Sequence, residues 1–467
     1  MIDLSAFKNK RFAVMGLGMS GLVAGEALCA GGAEVIAWDD SESRRSDAET
    51  RGVPIVRLDD VDWMGVEALI LSPGIPHTHP KPNPVALSAK EAGVAIVGDV
   101  ELLFRTQPKA SFVGVTGTNG KSTTTALISH ILNYAGRRCA AGGNLGLPAL
   151  SLEPLGSEGI YVLEMSSYQL ELTPSARFEV AILLNISQDH LDRHGGMNGY
   201  VSAKRRIFAQ QEVGDVAIVG VDDQEALSLL LCLSAERSSG IVPISTEREV
   251  GGGVYSKGSM LIDASGAVPR EVCSLADIEA LPGSHNAQNA AAAYAAVRAV
   301  GVTAEIAAAA LETYPGLPHR QQLAAIIDGV RYINDSKATN PEAAAKALSS
   351  YEKIYWIAGG RAKEGSLEAL FPYISRVNRA FLIGEAAEQL ANQLSGLTQT
   401  ELCGDLQCAV NAAGQAAVGE KAVVLLSPAC ASHDQFVNFE QRGEMFCRLA
   451  AQRPGIDRDI RYGGKAS

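Results

Sequence analysis

The amino-acid sequence predicts an α/β protein in three domains, and three stretches carry that expectation. Near the N-terminus an apolar strand, Arg11 to Met15, turns through Gly16-Leu17-Gly18-Met19-Ser20-Gly21 into a helix and returns as a second strand that leads to Asp39. In the middle, an apolar run enters Gly114-Val115-Thr116-Gly117-Thr118-Asn119-Gly120-Lys121-Ser122 and opens into a helix-like stretch to Tyr134. Beyond residue 317 strand and helix patterns alternate again, at Arg331 to Asn334, Pro341 to Ser349, Ile354 to Ala358, Ala380 to Ile383, Ala386 to Gln393 and Ala422 to Leu426. Strands that alternate with helices imply mostly parallel sheets. The expected division is 1–105, 106–316 and 317–467: a Rossmann-like N-terminal domain, a central P-loop ATPase-type domain and a Rossmann-like C-terminal domain.

The first segment is a βαβ unit with a glycine fingerprint and an acid after its second strand, the layout that binds a nucleotide or nucleotide-sugar. Close packing of helix on strand would leave the same glycines. A further strand, Ala68 to Leu71, runs into Ser72-Pro73-Gly74-Ile75-Pro76, and ligands of open α/β sheets bind at such strand ends. After a helix around Val100 to Arg105, Thr106 to Ala110 reads as a linker.

In the central segment, a glycine-rich turn between strand and helix leaves backbone N–H groups facing outward, and the helix N-terminus adds partial positive charge, so phosphate suits it. Lys121 is expected to reach the outer phosphates and Ser122 to offer its hydroxyl to Mg²⁺. Strict P-loop spacing wants glycine where Val115 stands, and Gly114 comes one residue too early, so the match is to a variant loop. Further strands are expected at Ile160 to Leu163, Val180 to Ile186 and Val216 to Val221, with an antiparallel excursion between Ile241 and Cys273. Ser284 begins a helix to about Val300, and Tyr314 to Arg320 reads as a hinge from its prolines and glycine.

Composition narrows the function. The chain has 467 residues, 47% of them apolar, and a net charge of −12. With no long lysine or arginine block, nucleic acid and anionic membranes are not expected partners. The N-terminus lacks a charged leader followed by an apolar core, and no apolar run of roughly 18 residues occurs, so the cytoplasm is the expected location. The eight cysteines form no Cys-x-x-Cys pair, which fits reduced thiols.

Nucleoside triphosphate on the loop would bring Mg²⁺, which needs oxygen ligands near the phosphates. Glu164, at the end of the strand Ile160 to Leu163, is the best candidate; a solvated strand-end glutamate is the plain alternative. The next strand ends in a polar set, Asn185-Ile186-Ser187-Gln188-Asp189-His190-Leu191-Asp192-Arg193-His194, from which His190 is the expected ligand and His194 is expected to be exposed. Lys204, within Ser202-Ala203-Lys204-Arg205-Arg206, reads on its own as part of a solvated basic helix face.

Together, Gly117 to Ser122, Leu163-Glu164-Met165-Ser166-Ser167-Tyr168-Gln169-Leu170, Asp189 to Arg193, Gly283-Ser284-His285-Asn286-Ala287-Gln288-Asn289, Asn334-Asp335-Ser336-Lys337-Ala338-Thr339-Asn340, Leu426 to Phe436 and Asn438 to Gly443 resemble the Mur ligases over nearly the whole chain. Within that family the likeness is to the branch that adds D-glutamate to UDP-N-acetylmuramoyl-L-alanine, using ATP and passing through an acyl phosphate. A sibling Mur or folylpolyglutamate-type ligase with a different acceptor is the alternative. The resemblance implies a UDP-sugar-binding first domain, an ATP-binding second, an amino-acid-binding third and a monomer.

The resemblance also implies residue roles. Gly117, Thr118, Asn119, Gly120, Lys121, Ser122 and Thr123 would hold ATP phosphates, Asn286 and Asn289 adenine, Arg320 the γ-phosphate and Asp335 the ribose. Two Mg²⁺ sites are implied, the first on Ser122 and Glu164 and the second on His190 and a carbamylated Lys204. Catalysis would rest on Lys121, Glu164, His190, Lys204 and Lys337. Ser20, Asp39, Gly74 and Asn144 match sugar-nucleotide contacts, and Thr339, Lys363, Ser432 and Phe439 match D-glutamate contacts. The sequence departs from the family at Arg361, where an acid is familiar, and at Asp40-Ser41, where a threonine and a basic residue are.

Overall fold

The computed structural model describes residues 1–59, 61–144, 146–236, 240–362 and 367–455. They form three sheets flanked by helices, and the chain divides into two compact units: Met1–Ser274 with Ala287–Glu312, and Leu275–Asn286 with Thr313–Ser467.

The first unit holds two sheets. β1 (Arg11–Met15), β2 (Glu34–Trp38), β3 (Val66–Leu71) and β4 (Ala95–Val97) lie in the order β2-β1-β3-β4, all parallel. The second sheet has nine strands: β5 (Ser111–Thr116), β6 (Cys139–Gly143), β7 (Ile160–Glu164), β8 (Val180–Leu183), β9 (Val216–Gly220), β10 (Ile241–Ser245), β11 (Val254–Lys257), β12 (Met260–Asp263) and β13 (Arg270–Ser274). Their order is β13-β12-β11-β10-β9-β8-β5-β7-β6. From β6 to β11 neighbours are parallel, and β12 runs antiparallel to both β11 and β13, so the antiparallel excursion starts later than the sequence suggested. Ile241 to Ser245 extends the parallel sheet instead.

The short segment 106–110 joins two sheets that are already fastened together. Glu101 has no exposed surface, and its carboxylate accepts from the Ser175 amide at 3.1 Å, the Ser175 hydroxyl and Arg105 Nε at 3.0 Å. The Gly98 amide donates to Leu172 O at 2.8 Å and the Ile2 amide to Leu150 O at 2.9 Å. One apolar core runs through both sheets, from Phe12 and Ile70 to Leu163 and Ala181. Under β5 it is aromatic: Phe104 stacks on Phe112 at 3.9 Å and meets Phe178 edge-on at 5.2 Å, and Phe112 stacks on Tyr161 at 5.2 Å.

This layer explains the glycine that broke the spacing of the loop. Gly114 lies inside β5, and a Cβ there would stand 2.5 Å from the Phe178 ring. It serves strand-on-ring packing, while the turn proper begins at Gly117.

In the second unit β14 (Gln322–Ile327), β15 (Val330–Asn334), β16 (Ile354–Gly359), β17 (Val377–Ile383), β18 (Thr400–Gly404) and β19 (Val423–Leu426) lie in the order β14-β15-β19-β16-β17-β18. All pairs are parallel except the β14–β15 hairpin. Alternation along the strands feeds a core on each face, with Trp356, Leu382 and Leu425 on one and Tyr355, Phe381 and Leu426 on the other.

Placing a methyl at Gly114 overpacks the ring beneath it. Gly114→Ala is expected to lower unfolding free energy by about 1–3 kcal/mol, read as a lower urea midpoint, with an unchanged m-value.

Candidate functional site

The C-terminal ends of β5, β7 and β8 gather the polar residues of the first unit. The loop after β5 carries Gly117 to Gly120, and the helix Lys121–Tyr134 begins directly behind it with Ser122 buried and Thr123 half-buried. Gly120 has φ +87°, and a side chain there would collide with the Asn289 amide, so the turn accepts only glycine. The loop is braced from β8: the Asn119 amide donates to Asn185 Oδ1 at 2.9 Å, the Thr118 amide to Asn185 O at 2.9 Å, and Ser187 N to Thr118 Oγ1 at 3.0 Å. Asn289, on the helix Ser284–Ala299, accepts from Thr124 Oγ1 at 3.2 Å.

A cleft of about 400 Å³ opens beside this loop, and Lys121, Lys204, His190, Asp189, Tyr168, Tyr200, Asn144, Ser20 and Gly74 are among its walls. Both lysines converge on one acceptor. Lys121 Nζ donates to Gly117 O at 2.9 Å and to Thr118 O at 2.9 Å, while Lys204 Nζ donates to Gly117 O at 2.8 Å. Lys204 is 1% exposed, so the reading of a solvated helix face is overturned. The nine-residue helix Met197–Arg205 turns its Tyr200–Lys204 face inward, at the spacing that puts two side chains on one stripe. Burial, with Lys121 nearby, holds the Lys204 ammonium well below its ordinary pKa.

Glu164 stands at the end of β7, 2% exposed, and is no solvated strand-end acid. Its Oε1 accepts from Asn144 Nδ2 at 2.8 Å, and its Oε2 is buried with no hydrogen-bond partner. A buried carboxylate oxygen left open beside a phosphate-type loop suits a hard cation. Among the described residues no three His, Cys, Asp or Glu side chains cluster as a ready cage.

His190 sits at φ +51° at the start of a four-residue helix, its Nε2 3.4 Å from Asp189 Oδ2, and burial lowers its pKa. The Tyr168 ring lies 5.1 Å from His190 and 5.4 Å from His194. His194 is buried, contrary to expectation: Nε2 is 2.9 Å from Ser167 Oγ and Nδ1 is 3.2 Å from Glu171. A four-residue helix is too short for its periodicity to declare an inward face, which is why the sequence misassigned it. Sequence reasoning also passed over Tyr168 and Tyr200. The Tyr200 hydroxyl is 3.1 Å from Thr118 Oγ1, its ring lies 4.7 Å from Lys204 Nζ, and burial pushes its phenol up to about 12.

The sugar-nucleotide candidates divide. Ser20, Gly74 and Asn144 line the cleft. Asp39 is buried at the end of β2, where its carboxylate accepts from Leu17 N at 2.7 Å and Ser41 N at 2.8 Å and pairs with Arg44 at 3.4 Å. Burial pushes its pKa up, but these partners outweigh it and hold the acid ionised.

The second unit carries the remaining candidates at the ends of β15 and β19. Asn286 is buried, its Nδ2 donating to Pro282 O at 2.8 Å. Arg320 is flanked by His319 and Gln321, both at positive φ. Asp335, buried after β15, accepts from Ser427 Oγ at 2.7 Å and Gln321 N at 3.2 Å, and burial pushes it up to about 7. Lys337 Nζ lies 5.0 Å from the Phe439 ring. Ser432 is buried and Thr339 half-buried. Arg361 pairs through Nε and Nη2 with Glu385, both at 3.1 Å, and Lys363 lies outside the described residues.

Known proteins match along this whole arrangement. Residues 115–297 match the Mur ligase middle domain and residues 319–430 the Mur ligase, glutamate ligase domain. A Caulobacter species has a UDP-N-acetylmuramoylalanine–D-glutamate ligase 50% identical over 454 residues, covering 96% of this chain and 97% of that protein. A protein of the same name from Rhodospirillum rubrum is 48% identical over 473 residues, covering 100% and 99%. Among solved structures, the UDP-N-acetylmuramate-alanine ligase of Thermotoga maritima shares the fold with a TM-score of 0.59 at 19% identity, covering 95% of this chain and 100% of that one.

The raised pKa of Asp335 has a signed consequence. The fold prefers the neutral acid, so its contribution is present below the unfolded pKa of about 4 and is lost as pH rises towards about 7. Urea titrations of the wild type and Asp335→Asn from acid to neutral pH are expected to show the wild type losing stability relative to the variant over that window, and no further divergence above it.

Proposed function

The chain belongs to the Mur ligase family, and from that premise we propose that it joins D-glutamate to UDP-N-acetylmuramoyl-L-alanine in ATP-dependent peptidoglycan precursor synthesis, as a cytoplasmic monomer. The observation that carries the chemistry is the unpartnered Glu164 Oε2 at the end of β7, next to the strand that leads into the loop where Lys121 and Lys204 meet on Gly117 O. The acceptor rests on the name borne by full-length relatives.

The alanine carboxylate attacks the γ-phosphorus, ADP leaves, and an acyl phosphate forms. The D-glutamate amine then attacks the acyl carbon, and the tetrahedral intermediate expels phosphate. Both partners of the first step are anions, so the site must offset their repulsion. Lys121 supplies one positive charge to the outer phosphates, with the N–H groups of Gly117 to Gly120 and the hydroxyls of Ser122 and Thr123 around them. Ser122 and Glu164 would hold one Mg²⁺, and His190 with Lys204 a second, and the metal would supply the remaining neutralisation.

An ammonium cannot ligate a cation. Burial and the nearby Lys121 disfavour the Lys204 ammonium, and its neutral amine would add CO₂ to form a carbamate with release of a proton. The product is an anionic oxygen ligand. Asn286 and Asn289 serve adenine, Asp335 the ribose, Arg320 the γ-phosphate, and Lys337 the reacting centre. Residues 1–105, with Ser20, Asp39 and Gly74, and Asn144 of the central domain 106–316, hold the sugar nucleotide; Thr339, Lys363, Ser432 and Phe439 of 317–467 hold D-glutamate.

Phosphate release with ATP, Mg²⁺ and UDP-N-acetylmuramoyl-L-alanine is expected with D-glutamate and not with L-glutamate, L-lysine or diaminopimelate; release with a different amino acid would identify a sibling ligase. Lys204→Ala is expected to lose on the order of 100-fold in kcat and to recover part of it with added short carboxylates. Full activity without them would remove the carbamate.

A further inference from the structure

The helix Phe439–Ala451 carries a buried cation that the reaction scheme leaves unused. Arg442 is 1% exposed, and its guanidinium is held by hydrogen bonds rather than by a contact ion pair, with Asp434 acting on it only through space. A guanidinium taken out of water without a counter-anion is expensive unless its donors are satisfied. Here they are satisfied by one hydroxyl and three backbone carbonyls. Nε donates to Ser336 Oγ at 3.0 Å, Nη2 to Ser336 O at 2.9 Å and Cys430 O at 3.2 Å, and Nη1 to Cys430 O at 3.2 Å and Gly359 O at 3.5 Å.

Those acceptors share one edge. Ser336 follows β15, Cys430 follows β19 and Gly359 ends β16, and β15, β19 and β16 are consecutive parallel strands of the six-stranded sheet. One planar fork therefore spans three neighbouring strand ends, the edge at which open α/β sheets bind ligands. The segments it grips run on to Lys337 and Thr339 after Ser336, and to Ser432 after Cys430. Ser336 passes the tie forward: its hydroxyl donates to Phe439 O at 2.8 Å, and the Phe439 ring lies under Lys337.

We propose that Arg442 is a positioning residue for the acceptor amino acid, setting the spacing of the Lys337–Thr339 and Cys430–Ser432 segments without touching the substrate. This rests on the assignment of D-glutamate to those segments. Lysine in its place keeps the charge but has no fork, and cannot hold three carbonyl groups in one plane. A displacement of about 1 Å in a contact segment weakens binding and alignment steeply.

The test is Arg442→Lys, assayed by phosphate release against each substrate in turn, with thermal unfolding alongside. The expected result is a rise on the order of tenfold in KM for D-glutamate, with KM for ATP and for UDP-N-acetylmuramoyl-L-alanine within about twofold of wild type. An unchanged KM for D-glutamate, or an equal rise in all three, overturns the proposal, the latter because general loosening does not choose among substrates. Should Arg442→Lys not fold, Ser336→Ala removes one acceptor and the relay to Phe439 while leaving the cation, and the same selective rise, smaller in size, is expected; its absence overturns the proposal equally. If the wild type itself shows no D-glutamate-dependent release, it is the acceptor assignment that fails, and the two failures are distinct.

Discussion

Two ammonium groups meet on the carbonyl oxygen of Gly117, and much of the first unit is arranged around that encounter. One acceptor cannot neutralise two cations, and burial makes their mutual repulsion stronger than it would be in water. The surrounding chain answers in several ways. Tyr200 lays its ring beside Lys204, Glu164 and Asp189 add negative charge nearby, and Asn185 and Ser187 hold the loop so that the carbonyl cannot turn away. The result is a loop whose shape is fixed by β8 and whose charge is poised for an anionic partner. A polyphosphate or a carbamate would each relieve what the protein alone only contains.

The second unit solves a related problem with opposite means. Its edge gathers segments from different strands, which are separate excursions of the chain and have no reason to keep step. Arg442 couples them chiefly through carbonyl oxygens rather than through a contact ion pair, with Asp434 acting on its charge only through space. Asp335, close by in sequence to Ser336, is the counterpart: a carboxyl held by Ser427 and Gln321 whose ionisation the fold resists. Both are titratable groups whose solvation is exchanged for fixed dipoles.

How much of this was legible depended on whether the signal was local. The glycine turns, the strands β15, β16, β17 and β19 with the helices Pro341–Ser349 and Ala387–Gln393, and the helix Ser284–Ala299 could be read because period and punctuation coincide there. β6 could not, since Cys139-Ala140-Ala141-Gly142-Gly143 has no β-branched residue and is a strand only because β7 offers it a partner. β14 was missed although Asp328-Gly329, both at positive φ, is a hairpin turn written in the sequence. In the candidate site, the positions of Glu164 at the end of β7 and of His190 in the loop after β8 were readable from their places after strands. The burial of Lys204 was not readable from its own stretch, because its stripe with Tyr200 is masked by the arginines that follow it, and Arg442 was invisible because most of its partners are backbone carbonyls, which carry no sequence signal, on three separate segments.

The glycine at position 114 gives the phosphate loop a different origin from the one its motif suggests. Its place in the chain is dictated from below, by Phe178 and the rings of Phe104, Phe112 and Tyr161 that follow it into the core. Phe104 belongs to the helix Asp99–Thr106, which hangs from the first sheet. The aromatic layer is thus a mechanical footing shared by the nucleotide-type sheet and the phosphate loop. Whatever tilts that helix changes the floor on which the loop stands, and the two halves of the first unit read each other's position through stacked rings.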